Sequence, residues 1–258
     1  MSGQTDTPQR ESGPHRWLSA LPVAAMFLTR LPVRAPNTGL AGAAVAFPVV
    51  GLLVGALGGG AYGLAWLAGL PALACAFLGV CATVAVTGAL HEDGLADMAD
   101  GLAGGTPEDA IRLMRDSRIG GYGVLALIFS VGLRAAALAA LAGPLAVIVA
   151  MASAGALSRA AMPAVMRTLP PASGTGLAAA AGRPDGLDVF LAVGIAVFLA
   201  LSVLGALPAL AMAGAAFIAA GAVAALARRR LGGYTGDVLG AVQQAAEIAG
   251  LLAIAAVT

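Results

Sequence analysis

HEDGLADMADGLAGGTPEDAIRLMRDSRIGGYG, residues 91–123, decides how the rest of this chain is read. It holds seven of the thirteen carboxylates in the protein, and long apolar runs lie on both sides of it. Carboxylates crowded together repel one another unless a cation sits among them. A divalent metal holding a phosphate-bearing substrate would supply that cation; a solvated acidic helix face is the plainer alternative.

The surroundings set the solvent. Of 258 residues, 60% are hydrophobic and 10% charged, and the mean hydropathy is +0.92. Soluble domains carry about 25% charged residues, so this chain is expected to live in lipid. The net charge of +1 says nothing about nucleic acid, and with no basic stripe of interleaved aromatics no nucleic-acid partner is expected. All fourteen basic residues are arginine, which excludes Schiff-base chemistry on a lysine. Cys75 and Cys81 lie within one apolar run with no histidine nearby, and read as packing residues rather than a disulfide or zinc pair.

Working outward, apolar runs at 41–68, 71–90, 122–142, 144–166, 187–206, 208–227 and 238–257 are each long enough to cross a bilayer, which takes about 20 residues. The fold expected is all-α: a polytopic membrane helical bundle of about seven transmembrane helices. Residues 17–258 read as one integral-membrane domain behind a polar tail, 1–16, expected to be disordered and without a cleavable signal. Residues 17–34, interrupted by Pro22 and Pro32, are too short to span and read as an interfacial or re-entrant helix, or a short helix packed on the bundle. Small residues such as Gly51, Gly55, Gly58 and Gly59 would let helices approach closely.

Arginines fall on alternate loops: Arg30 and Arg34; Arg112, Arg115 and Arg118; Arg167 and Arg183; Arg228, Arg229 and Arg230. The turns near Pro71, Gly143-Pro144 and Pro208 carry no charge. The positive-inside rule makes the arginine side cytoplasmic, and residues 91–123 lie there. Arg134, Arg159, Gln243, Gln244 and Glu247 fall inside spans, where polar groups pair with each other or face a cavity. Arg159 and Glu247 are candidates for the floor of a substrate cavity as well as for a pairing between helices.

Within the acidic stretch, Asp93, Asp97 and Asp100 stand at i, i+4 and i+7, so a helix would point all three one way, with Leu95, Met98 and Leu102 on a packing face. Magnesium is held by one or two carboxylates plus phosphate oxygens, which matches this set. Gly94, Gly101, Gly104 and Gly105 would allow backbone to approach a large ligand. Thr106-Pro107-Glu108-Asp109 has the composition of a helix start. Arg112 and Asp116, four apart, are placed to pair, and Arg115 with Arg118 to grip phosphates. His91 is a candidate base or an orienting partner for a carboxylate.

Two more polar islands belong to the same side. In GGYTGDVLGA, residues 232–241, Asp237 either caps the last helix or joins the metal cluster, while Gly233, Thr235 and Gly236 offer backbone donors to a phosphate. The Gly/Pro-rich loop 167–188, with Gly174 and Gly176, suits a lid or binding loop.

HEDGLADMADGLAGG followed by MRDSRIGGYG closely resembles cobalamin synthase, the adenosylcobinamide-GDP ribazoletransferase family. LTRLPV at 28–33, GGYTGDVLGA, Glu247 and Leu251-Leu252 extend the resemblance along nearly the whole chain. One departure is Gly121, where the family commonly has threonine. The resemblance implies a multi-pass enzyme of the cell inner membrane that takes adenosylcobinamide-GDP and α-ribazole or its 5′-phosphate, releases GMP and requires Mg²⁺. The roles expected are Asp93, Asp97 and Asp100 as metal ligands, with Asp116 or Asp237 completing the shell. A carboxylate or His91 would take the hydroxyl proton, and Arg115 and Arg118 would hold phosphates. Partners would be these small molecules, the lipid bilayer, and a second copy or other B12-assembly proteins.

The alternatives are a CDP-alcohol phosphotransferase, a UbiA-type prenyltransferase, and a metal or proton transporter. The first lacks the Ala-Arg expected after Asp97-Met-Ala-Asp100-Gly101, and the second lacks a further aspartate pair in another loop. A transporter would place its ionisable groups near the bilayer midplane rather than in a polar segment outside the spans.

Overall fold

The computed structural model describes residues 15–36, 39–173 and 176–258. Most of the expected polar tail, and Gly174 of the long loop, lie outside the described residues. Twelve α-helices and one 3-10 turn make up the regular structure of the described residues, which contain no strand.

The chain opens with α1 (His15–Leu28). At fourteen residues it is about 21 Å long, short of the hydrocarbon thickness. Ala24 and Leu28 are buried, and Phe27 stacks on Phe47 with ring centroids 6.0 Å apart, so α1 is packed on the bundle. A short α2 (Leu40–Ala43) and the 3-10 turn Ala44–Ala46 run into α3 (Phe47–Leu67). Then come α4 (Ala72–Thr87), α5 (Leu90–Gly101), α6 (Pro107–Met114), α7 (Gly121–Ala139), α8 (Pro144–Thr168), α9 (Leu177–Ala181), α10 (Gly186–Leu204), α11 (Ala206–Leu231) and α12 (Gly236–Val257).

Among the described residues six helices are long and apolar enough to cross a membrane: the α2–α3 unit, α7, α8, α10, α11 and α12. The seventh span differs from a simple 71–90 run. α4 and α5 pass the same test only as a pair, bent by 91° at their junction. The bend is built by Gly88 and Ala89, both left-handed at φ 65° and 58°. The amide of Ala89 reaches back to Val84 O at 2.9 Å and closes α4, and Asp93 N donates to Ala89 O at 2.8 Å to start α5. Ala89 is the one described residue other than glycine with positive φ, a conformation costing about 1 kcal/mol or more that the surrounding packing must hold.

The interior is formed by α3, α8 and α12, whose faces are the most buried of the spans. Glycine makes the α3–α8 contact possible. A Cβ on Gly51 or Gly55 would fall on the α8 backbone at Gly155 or Met151, and one on Gly59 would stand 2.6 Å from Ile148 Cα. Such close approach replaces the hydrophobic drive that lipid cannot provide between helices. Cys75 is buried and Cys81 exposed, and neither is in a disulfide.

The arginine-bearing connections meet at one end of the bundle. Arg30 N donates to Val86 O at 2.8 Å, Arg230 Nη2 donates to Leu102 O at 2.6 Å, and Arg183 Nη2 donates to Arg167 O at 2.6 Å. The long loop docks on the second island: Tyr234 N donates to Pro170 O and Ala172 N to Tyr234 O, each at 2.9 Å. The three polar islands are thus one surface.

Candidate active site

The site begins with a close approach of α5 to α12. A Cβ on Gly94 would lie 2.9 Å from Asp237 O and 3.0 Å from its Cα; one on Gly240 would lie 3.1 Å from Gly94 Cα and from His91 O. Two glycines facing each other remove the side-chain layer between these helices. Asp93 and Asp97 on α5 are thereby set beside Asp237 on α12, near enough that Asp93, Asp237 and Asp100 all act on the charge of Asp97. Asp93 is exposed and the other two are half-buried.

α5 is held in place by a neutral cluster of two arginines and two glutamates inside the bundle. Arg134 of α7 donates through Nη2 to Glu92 Oε1 at 3.0 Å and through Nη1 to Glu247 Oε1 at 3.2 Å. Arg159 of α8 lies 3.5 Å from Glu247 Oε2. Gln244 Nε2 donates to Glu92 Oε1 at 3.0 Å and Ser130 Oγ to Gln244 Oε1 at 2.6 Å, while Gln243 donates to Glu247 and to Ser158 Oγ. The residue immediately before Asp93 is therefore anchored to α7 and α12. Glu92 points inward because it lies one position off the aspartate face.

Asp100 has a different task. Its Oδ2 accepts from Gly120 N at 2.7 Å and its Oδ1 from Gly123 N at 2.8 Å, which caps the start of α7 across twenty residues of sequence. Gly120 and Gly123 leave no room for a Cβ beside that carboxylate. Thr235 caps α12 through Val238 N at 3.2 Å and donates its hydroxyl to Asp237 Oδ2 at 3.2 Å. Thr106 caps α6 in the same way through Asp109 N.

Between α6, the residues Ser173, Gly176 and Ala178, and the start of α12 lies a cavity of about 200 Å³, lined also by Arg115, Thr235, Gly236 and Asp237. Arg115 is the cation that faces Asp237 there.

Other candidates sit elsewhere. Arg112 pairs with Asp109 at 3.0 Å rather than with Asp116, because α6 stops at Met114 and the helical register is lost before residue 116. Asp116 pairs with Arg118 instead, at 2.8 Å, and the Arg118 hydrogen bonds hold its carboxyl down at about 2. The charges acting on Asp116 are these arginines and not the α5 aspartates, so it is separate from the cluster. Arg159, 2% exposed, belongs to the interior cluster and does not line the cavity. His91 is 1% exposed beneath α12, with Nε2 unpartnered. Gly233 is buried under the loop, where a Cβ would collide with Pro170 and Ala172. Gly101 and Gly104 likewise admit α6, against Met114 and Ala110, rather than a ligand.

No three His, Cys, Asp or Glu side chains among the described residues form a ready metal cage. The donor set of Asp93, Asp97 and Asp237 is nevertheless all hard oxygen. It fits a cation of the magnesium type whose shell is completed by phosphate oxygens and water.

Arg115 and Arg118 are thus expected to differ. Arg115→Ala should raise KM about tenfold, the loss of one charge-assisted contact. Arg118→Ala, which breaks an exposed pair, should change it less than about threefold. Steady-state kinetics on the two variants checks this.

The fold and site are those of a polytopic helical membrane protein with a cavity lined by Arg115 and Asp237 at its arginine-rich end. Residues 20–255 match the cobalamin-5-phosphate synthase family, and the chain belongs to it. The chain is 46% identical over 246 residues to an adenosylcobinamide-GDP ribazoletransferase of Bradyrhizobium diazoefficiens, covering 93% of this chain and 94% of that protein. It is 45% identical to that of Sinorhizobium medicae, over 89% and 93% of the two chains, and 40% identical to that of Mesorhizobium japonicum, over 95% and 96%. No solved structure matches. Membership makes it a transferase of the final nucleotide-loop assembly step in vitamin B12 biosynthesis.

Proposed function

We propose that the chain joins adenosylcobinamide-GDP to α-ribazole, or to α-ribazole 5′-phosphate, with release of GMP, using Mg²⁺ at the cytoplasmic face of the cell inner membrane. The names of the relatives support the substrates, and the arginine distribution supports the orientation. The observation that carries the site is the Gly94–Gly240 approach, which sets two aspartates of α5 beside Asp237 of α12 at the edge of a cavity holding Arg115.

The reaction is an in-line phosphoryl transfer, in which positioning and charge neutralisation do most of the catalysis. The ribazole hydroxyl oxygen bonds to the cobinamide-bearing phosphorus, the bond from that phosphorus to the GMP oxygen breaks, and the hydroxyl proton passes to a base. Asp93, Asp97 and Asp237 would hold the cation, which when bound neutralises charge on the diphosphate. Arg115 holds phosphate oxygens from the α6 side, and Thr235, Gly236 and Asp237 at the start of α12 line the same cavity. His91, sealed beneath α12, is poorly placed to reach the ribazole hydroxyl, which leaves that proton to a carboxylate of the site.

Purified protein in lipid nanodiscs should release GMP from adenosylcobinamide-GDP only when α-ribazole or its phosphate and Mg²⁺ are both present, and chelation should stop it. Equal turnover in chelator, or turnover of a CDP-lipid or prenyl diphosphate instead, would reject the reading.

A further inference from the structure

The cavity beside Asp237 has an apolar part that the transfer of phosphorus leaves without a task. Ile111, Met114 and Arg115 stand at i, i+3 and i+4, so one face of α6 turns from apolar to cationic within about a turn. Ala178 of α9 adds a third apolar side chain, and Thr235 and Asp237 bring polar groups from the start of α12. Met114 is buried, Ile111 and Ala178 are half-buried, and Arg115 is exposed. The apolar side chains are thus the more deeply set, and Arg115 is the outermost.

Size and edge chemistry narrow the occupant. An apolar cavity of about 150 Å³ takes up benzene. At about 200 Å³ this one matches a single fused two-ring base, and a corrin is several times too large. The proposed reaction brings such bases in two kinds. The purines of adenosylcobinamide-GDP carry hydrogen-bond donors and acceptors along their edges, which are costly to bury unmet. Asp237 is the one carboxylate that lines the cavity, and the cation takes it. The base of α-ribazole is a dimethylated benzimidazole, whose outer edge is carbon alone and needs no partner. A methionine thioether beside an aromatic ring adds to the fit.

We propose that this cavity is the acceptor subsite: the dimethylbenzimidazole ring of α-ribazole lies against Ile111, Met114 and Ala178, and its ribose is turned toward Arg115, Thr235 and Asp237, where the diphosphate arrives. Ile111 and Ala178 are then specificity-determining residues that read the base through its methyl groups. The assignment rests on the reaction proposed above and gives its two substrates separate places.

The test is steady-state kinetics of the full chain in nanodiscs, with each substrate varied in turn. Ile111→Trp and Ala178→Leu narrow the cavity from α6 and from α9. Each should raise KM for α-ribazole about tenfold and change KM for adenosylcobinamide-GDP less than about twofold. The milder Ile111→Ala supplies a second readout. Wild type should prefer α-ribazole to the riboside of unmethylated benzimidazole by about tenfold in kcat/KM, the order of effect of two buried methyl groups. Ile111→Ala should cut that ratio to about threefold, whereas a merely structural role would lower both rates and leave the ratio unchanged. Elution volume and helical circular dichroism equal to wild type would show that each variant is folded. An unchanged base ratio in Ile111→Ala would overturn the proposal. So would a rise in KM for adenosylcobinamide-GDP with that for α-ribazole unchanged, which would put a purine in the cavity. Wild type that releases no GMP with either riboside would reject the transferase reading, and the subsite with it.

Discussion

Asp97→Asn is expected to lower kcat by about 10³-fold while the protein still inserts and elutes as wild type. The side chain keeps its volume and loses only its charge. That charge stands among Asp93, Asp100 and Asp237, so in the empty protein its removal relieves repulsion and leaves stability equal or higher. With substrate bound the balance reverses. A cation and a diphosphate then depend on these oxygens, and a site of fixed charges loses about 3–4 kcal/mol of transition-state stabilisation when one is removed. Asp93→Asn should behave alike. GMP release measured at saturating substrate, beside thermal stability of the same preparations, checks both halves. A loss of activity matched by a loss of folded protein would mean that the aspartate is structural. Asp100→Asn supplies the contrast: it removes the anion that caps α7, so stability is expected to fall there.

Arg134→Met is expected to be the most destabilising single substitution in the interior, at about 3–5 kcal/mol. Arg134 is 1% exposed and is the arginine shared by Glu92 and Glu247. Taking it away leaves two buried carboxylates against one remaining arginine, and an uncompensated buried charge accounts for costs of that size. The second substitution Glu92→Met, made on top of it, should recover at least half of the loss. It restores neutrality, leaving Arg159 opposite Glu247, and a buried pair replaced by apolar side chains of similar volume is commonly tolerated. Fluorescence-detected gel filtration after a heat step would measure both. The double variant should remain less active than its stability implies, because α5 has lost the anchor next to Asp93.

These two effects also mark where the sequence was legible. The spans could be read because apolar runs of 19 to 28 residues leave few other folds open in lipid. The helical face of Asp93 and Asp97 followed from spacing alone. The break at Gly88-Ala89 did not, since a left-handed alanine has no local signature and exists here because packing imposes it. Asp100 was read with its neighbours as a ligand; its partners, Gly120 and Gly123, are amides of another helix that spacing within α5 cannot reveal. The pairing of Arg112 with Asp116 failed for a related reason: the four-residue rule holds only inside a helix, and α6 ends first. Glu92 was passed over as one acid among seven. Its displacement by one residue from the aspartate face was the available signal, and it corresponds to the inward direction. Glycines in the acidic stretch suggest room for a ligand, whereas Gly94, Gly101 and Gly104 make room for other parts of the chain.

Relatives with the same name establish the family and the reaction step; they do not establish which side chains share a site. That rests on the α5–α12 contact. The most direct test is binding of Mn²⁺, as a paramagnetic stand-in for Mg²⁺, followed by electron paramagnetic resonance of the nanodisc-embedded protein with adenosylcobinamide-GDP present. Bound Mn²⁺ should disappear in Asp97→Asn on α5 and equally in Asp237→Asn on α12, and should require the diphosphate in wild type. Undiminished Mn²⁺ binding in the Asp237→Asn protein would contradict a site shared between the two helices.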